Sequence, residues 1–316
     1  MLKYIYYNLI KLISNIIKFM PLKSNFFDKV FFNIALIHFE NTKKNYNEIT
    51  SLFETEYKVF SQNGEDGILN YILHNLRILN PNFFEIGVGD YRESNTRFIY
   101  QKYHSKGVII DCLPNLKQKI KSHVNLWKGD LTVIEEMITS ENIDDILKKS
   151  LNFELDIFSI DIDGIDYWII EKLPKNISKI FIAEYNSNFG HELCISVPNI
   201  NDFNRTKYHY SNLCYGMSLR ALIDLMEKKN YYFLGTNLQK NNAFFISKDY
   251  TKEKYFPNIE IANVENYCNS NIRESRDQKG SLTFLTGKKK IEAIKECEII
   301  NLKDDNYKKT LIKDLI

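Results

Sequence analysis

Phe83-Phe84-Glu85-Ile86-Gly87-Val88-Gly89-Asp90-Tyr91 is an apolar run that ends in an acid and two glycines one residue apart. It reads as a buried strand breaking into a turn, where Gly87 and Gly89 let the backbone approach a ligand closely. Ser94-Asn95-Thr96 then opens a helix, because short polar side chains accept hydrogen bonds from the unpaired N–H groups of a first turn. Strand, glycine turn and helix start in this order describe the first crossover of a nucleotide-binding α/β sheet. In a chain with 12 glycines a Gly-x-Gly pair decides little alone, so the weight falls on what surrounds it.

Downstream, strands and helices alternate. Gly107-Val108-Ile109-Ile110-Asp111 is a second short strand ending in an acid, roughly twenty residues past the turn, where a carboxylate accepts both hydroxyls of a ribose. Residues 124–127 read as a third strand, with Gly129-Asp130 at its end suited to an adenine edge. A fourth, residues 155–160, leads into Asp161-Ile162-Asp163-Gly164-Ile165-Asp166, and a fifth spans 180–184. Residues 219–228 repeat the helical period, and 231–235 with 242–246 read as a closing β-hairpin. The succession predicts a doubly wound α/β sheet with ligands beyond the carboxyl ends of its strands.

Upstream, Ser61-Gln62-Asn63-Gly64-Glu65-Asp66-Gly67 precedes a helical pattern at Ile68, Leu69, Ile72, Leu73 and Leu76. A polar helix start accounts for Ser61, Glu65 and Asp66 and leaves Gln62 unexplained. Residues 1–23 carry Lys3, Lys11, Lys18 and Lys23 with no acid, and apolar residues from Ile5 to Met20 recur at helical spacing. This predicts a basic amphipathic helix, stopped by Pro21, that packs on the domain or a second subunit or lies on an anionic membrane surface. The lysines interrupt any run near the ~18 residues that span a bilayer. The chain therefore divides into a helical N-terminal appendage (1–50), an α/β domain (51–250) and a C-terminal extension (251–316) without an interpretable motif; Lys288-Lys289-Lys290 reads as a solvated face.

The 316 residues suffice for one large core, and a formal charge of +2 disfavours a nucleic-acid partner. Five scattered cysteines without a Cys-x-x-Cys pair indicate neither zinc nor a disulfide framework and fit a reducing cytosol, with the N-terminal helix offering peripheral contact at the inner membrane face.

Ser61-Gln62 with Glu65-Asp66, the Phe84-to-Asp90 stretch, Ser94-Asn95-Thr96, Ile110-Asp111 and the segment 161–164 together resemble class I S-adenosylmethionine-dependent methyltransferases, especially the FkbM-like group found with surface-polysaccharide genes. The resemblance covers roughly residues 59–247. It implies a seven-stranded, mostly parallel sheet with its last strand antiparallel. By the same resemblance, Glu85 through Asp90, with Gly87 and Gly89, would cradle the cofactor's methionine part, Asp111 would hold its ribose, Asp130 would lie near adenine, and Gln62 and Asn95 would belong to the same cofactor site. The chain departs from the family pattern at Tyr91, which stands in place of a third glycine and would either narrow the cofactor slot or point outward.

Methyl transfer from a sulfonium to a hydroxyl is an in-line displacement, helped by a general base. Asp161, Asp163 and His209 are the candidate catalytic groups. Asp161 and Asp163 alternate along a strand and need not form one pair. With Asp166, Glu184 and Asn186 they could instead hold a hard divalent cation, a choice the sequence leaves open. His191 is a weaker candidate base, and Arg205 and Tyr215 would line an acceptor pocket, the arginine facing a phosphate or carboxylate. The expected activity is O-methylation of a small-molecule or glycan acceptor, a sugar of a bacterial surface glycan by resemblance. A non-catalytic scaffold of a polysaccharide assembly complex, with Tyr91 blocking the slot, and a nucleotide-sugar or dinucleotide oxidoreductase remain as alternatives.

Overall fold

Among the described residues, ten strands form two sheets: β1 (Phe83–Ile86), β2 (Lys106–Asp111), β3 (Asp130–Glu135), β4 (Ile157–Ile160), β5 (Ile180–Glu184), β6 (Ile195–Ser196), β7 (Tyr231–Thr236), β8 (Asn242–Ser247), β9 (Glu298–Asn301) and β10 (Lys308–Leu311). The larger sheet has the order β3-β2-β1-β4-β5-β8-β7, and the smaller β10-β9-β6. The first five strands pair in parallel, while β8 runs antiparallel to both β5 and β7. This is the expected doubly wound α/β sheet with a closing hairpin. The computed structural model describes residues 25–268, 270, 272–303 and 307–316, so the amphipathic helix read from residues 1–20 lies outside the described residues.

The period-2 alternation of β1 sends its side chains to two cores. Phe84 and Ile86 join Val108, Ile110, Phe158 and Ile160 on one face, under α5 (Ile143–Ser150), α6 (Asp166–Lys172) and α8 (Leu219–Lys228). Phe84 and Phe158 lie nearly parallel with centroids 5.4 Å apart, and Phe181 continues the stack at 4.9 Å. Phe83, with Ile109, Ile157 and Ile180, faces the other side, under α2 (Glu65–Leu76), α3 (Arg97–Tyr103) and α4 (Leu116–Lys121). A fully buried Phe or Ile contributes about 1.5–3 kcal/mol, so each strand is held by both faces. The described part of the N-terminal region, α1 (Asn25–Thr42), joins the second core through Ala35 and Phe39, and Asp28 Oδ2 pairs with Arg97 Nη2 at 2.6 Å. Among the described residues no helix is long and apolar enough to cross a membrane.

Two sequence readings are corrected here. The third strand is not 124–127 but Asp130–Glu135: Val124 N donates to Ile120 O as α4 ends, and Trp127 is exposed, because no neighbouring strand reaches that segment. The second is the lysine run of the C-terminal extension, where Lys290 is buried while Lys288 and Lys289 are exposed, and the extension packs into the fold. Its strand β9 pairs with β6, and Ile294, Cys297, Ile299 and Ile312 share a core with Phe189, Leu193, Ile195 and Leu213.

Candidate functional site

The carboxyl ends of β1, β2, β4 and β5 open into a cavity of about 970 Å³, at the point where the strand order reverses between β1 and β4. Open α/β sheets bind ligands at such a switch point. Gly87, Gly89, Asp90, Asp111, Gln62, Asp161 and Asp163 all line it. Gly87 has φ +84°, and a Cβ there would lie 1.6 Å from Asp161 O, so glycine is required for β1 to pass β4. Gly89 has φ +55°, and its Cβ position faces open space, as a ligand's approach requires.

The turn is held from β2. Asp111 Oδ2 accepts the Gly89 N–H at 2.7 Å, and Oδ1 accepts the Leu113 N–H at 3.0 Å. An ionised carboxylate has about four acceptor sites, so Asp111 keeps capacity for a diol. Asp90 pairs with Arg92 Nε at 3.1 Å at the rim. Gln62 lines the cavity because its loop is clamped beneath: Asp66 Oδ2 accepts from the N–H groups of Val59, Phe60 and Ser61, and Glu65 Oε1 accepts from Asn237 Nδ2 and Asn242 Nδ2 of the closing hairpin.

Glu85 and Asn95 were expected at the cofactor and are placed elsewhere. Glu85 is buried on the face that meets α3. Its Oε1 accepts the Asn95 N–H at 2.9 Å, and its Oε2 accepts the Thr96 N–H at 3.1 Å and the Ser94 hydroxyl at 2.6 Å. Asn95 Nδ2 donates to Ser159 Oγ at 3.1 Å, tying the same turn to β4. Burial nonetheless holds the Glu85 carboxyl above its ordinary range. Tyr91 neither narrows the cavity nor points outward: it is wholly buried in the second core at φ +63°, with its hydroxyl 3.1 Å from Thr96 Oγ1.

Across the cavity, one carboxylate oxygen from each of Asp161, Asp163 and Glu184 lies within 4.8 Å of the others. Burial first, and then the neighbouring acids, hold Asp161 and Glu184 above the ordinary carboxylate range. Crowded carboxylates cannot all ionise cheaply, so this pair holds its protons more tightly than exposed acids do. The other proposed cation donors are committed to the protein. Asp163 Oδ1 pairs with Arg205 Nη1 at 2.5 Å. Asp166 accepts from Ile162 N and Gly164 N, each at 3.0 Å. Asn186 Oδ1 accepts from Asn188 N at 3.0 Å, while its Nδ2 donates to Leu213 O and Tyr215 O. A hard cation takes about six to eight oxygens, of which Asp161, Asp163 and Glu184 would supply only part, water or substrate the rest.

Arg205 and Tyr215 line the far wall as expected, the guanidinium carbon lying 5.1 Å from the tyrosine ring centroid. Arg205 Nη2 also pairs with Glu274 Oε2 at 2.9 Å, so its charge is met by two carboxylates rather than held open for a substrate anion. Glu274, Ser270, Ile272 and Lys290 bring the C-terminal extension into the lining. Lys290 is 5% exposed, and its Nζ donates to Ser270 O at 3.2 Å and Ile272 O at 2.6 Å, against the reading of its lysine run as solvated.

His209 is not in the lining. Its Nδ1 lies 2.7 Å from Ser211 Oγ, its ring packs on Tyr210 and burial lowers its pKa. His191 is exposed beside Glu192. Asp130 sits at the opposite, amino end of the sheet, exposed and paired with Lys106 Nζ at 3.4 Å, because it starts β3 instead of following a strand. Glu136, Met137 and Ile138, just past β3, line the cavity in its place. Reading Leu131-Thr132-Val133-Ile134 as the strand would have found them. Nothing local in the sequence marks Asn212, Glu274 or Lys290, which arrive through pairing with distant segments.

No family model matches the chain, and no curated protein matches it. Solved structures resemble it at low identity. A putative caffeoyl-CoA O-methyltransferase from Staphylococcus aureus is 12% identical over 70% of this chain and 98% of that one, with a TM-score of 0.37. Human N-acetylserotonin methyltransferase in complex with SAM is 11% identical over 72% of this chain and 60% of that one, at 0.34. M. capricolum TrmK in complex with S-adenosyl-homocysteine is 12% identical over 55% and 65%, at 0.32. The chain thus spans less than two thirds of the last two proteins, and all three TM-scores lie below 0.5.

Proposed function

We propose that the chain binds S-adenosylmethionine at the β1 turn and transfers its methyl group to a hydroxyl of an acceptor held beyond β4 and β5. One observation carries this reading over a dinucleotide oxidoreductase. In a dinucleotide site the pyrophosphate rests on the N-terminus of the helix after β1. Here the N–H groups of Asn95 and Thr96 at that position are closed by the buried Glu85 carboxylate, which leaves them unavailable to a phosphate. A sulfonium cofactor needs no such anion site, and the acidic cavity suits its positive charge. Tyr91, buried away from the cavity, offers nothing that would block it.

Asp111 then accepts the ribose hydroxyls, Gly87 to Asp90 border the methionine part, and Glu136 to Ile138 flank the base. The displacement needs donor carbon and acceptor oxygen about 3–3.5 Å apart and in line, so most of its acceleration is positional. The carbon–sulfur bond breaks as the oxygen–carbon bond forms, and the hydroxyl proton passes to the ionised member of the Asp161–Glu184 pair. A raised carboxylate is the better base, worth about 10²–10⁴ in rate. The sugar acceptor and surface-glycan setting rest on the FkbM-like resemblance. Calorimetry tests the cofactor: heat with S-adenosylmethionine and S-adenosylhomocysteine and none with a nicotinamide dinucleotide is expected, and the reverse pattern would overturn the assignment.

A further inference from the structure

The acceptor end of the cavity is built mainly from hydrogen-bond acceptors. Asp161, Asp163, Glu184 and Glu274 face it, and carboxyl groups offer acceptors far more than donors even when one of them keeps a proton. Both cations there are engaged by the protein: Arg205 by Asp163 and Glu274, Lys290 by the carbonyls of Ser270 and Ile272. Asn212 adds an independent sign. It is 6% exposed, lines the same wall, and its Oδ1 has no hydrogen-bond partner among the described residues, whereas its Nδ2 lies 3.4 Å from Glu274 Oε1. A buried acceptor left unpaired costs about 1–3 kcal/mol, a cost that a donor reaching it would relieve.

We propose that this wall is a specificity surface for a donor-rich acceptor without negative charge, a polyhydroxyl compound with or without an amino group, and that Glu274 rejects phosphorylated and carboxylated analogues by keeping Arg205 neutralised. The inference rests on the methyltransferase reading for the role of the bound molecule, but its selectivity stands on the wall's own chemistry. A phosphate or carboxylate entering here meets four acidic side chains, and Arg205 is already paired with two of them, so discrimination of this kind comes from repulsion as much as from attraction. Arg205 therefore serves to pin the C-terminal wall to the loop after β4 rather than to recognise an anion.

The test uses the full-length chain with saturating S-adenosylhomocysteine and four matched probes, glucose, glucosamine, glucose 6-phosphate and glucuronate, read by saturation-transfer NMR titration. Glucose or glucosamine should bind at least about tenfold more tightly than either anionic analogue. In Glu274→Gln that ratio should narrow, as Arg205 becomes available to the anion. Anionic probes binding as well as the neutral ones in the unmodified chain, or no probe binding at all, would overturn the proposal. Calorimetry on the same preparation keeps the two readings apart: a chain that selects neutral hexoses yet gives no heat with S-adenosylmethionine retains the wall and loses the cofactor assignment.

Discussion

The Asp111 carboxylate accepts the backbone N–H of Gly89 at 2.7 Å, so the end of β2 sets the shape of the turn that leaves β1. One side chain thus braces the turn and faces the cavity. Asp111→Ala should weaken S-adenosylmethionine binding by about 1.5–3 kcal/mol, the worth of hydrogen bonds to a charged group. Calorimetry on the variant, with circular dichroism to show that the sheet persists, checks this. Unchanged affinity would remove Asp111 from the cofactor site.

The two glycines of the turn should respond differently. Gly87→Ala drives a methyl group into the backbone at Asp161 O on top of left-handed strain, and should lower stability by clearly more than that strain alone costs, about 1–3 kcal/mol. Gly89→Ala meets open space and bears only the strain of a left-handed residue, about 1–3 kcal/mol, while obstructing the ligand. Thermal unfolding should therefore single out Gly87→Ala as the variant disturbed at the β1–β4 contact. A Gly89→Ala chain that folds and binds the cofactor normally would count against the approach argued for that turn.

Asp161→Asn and Glu184→Gln should each keep cofactor binding and lose about 10²–10⁴ in turnover. Because both groups titrate above the ordinary carboxylate range, the rate should fall on acidification before exposed acids protonate. A chelator should leave the rate unchanged. Loss of activity on chelation, restored by Mg²⁺ or Mn²⁺, would assign the cluster to a metal instead.

Stability should depend on pH in the opposite sense. Burial pushes Asp66 and Asp166 each from an ordinary 3.8 up to about 6, despite the backbone N–H groups they accept from. The folded chain then binds more protons than the unfolded one between those values, so these two groups favour folding near pH 4 and lose that contribution as pH rises through about 6. Urea midpoints at pH 5 and pH 7.5 should show the decline, and Asp166→Asn should reduce it.

Legibility followed sequence distance. The 180–184 strand and the 219–228 helix have the bounds read from periodicity, because each buries a continuous pattern against its immediate neighbours in the fold. The strand placed at 124–127 failed where apolar residues finish a helix turn, and the error carried Asp130 to the wrong end of the sheet. Glu85 was read as a ligand contact, since a strand-end acid next to a glycine turn carries the same letters whether it faces the cavity or the next helix. Face is set by the pleat: Glu85 shares the side of Phe83, not of Phe84 and Ile86. Lys290 shows the other limit, for a lysine run looks solvated until a distant segment folds its carbonyls over one amine.

The pairing of β6 with β9 also bears on how the protein is made. Synthesis proceeds from the N-terminus, so the strands that border the cofactor end, β1 to β3, emerge long before β9. A nascent chain can assemble that half of the sheet while the wall carrying Glu274 and Lys290 is still being translated. The wall at that end of the cavity is therefore completed only after the rest of its lining has been made.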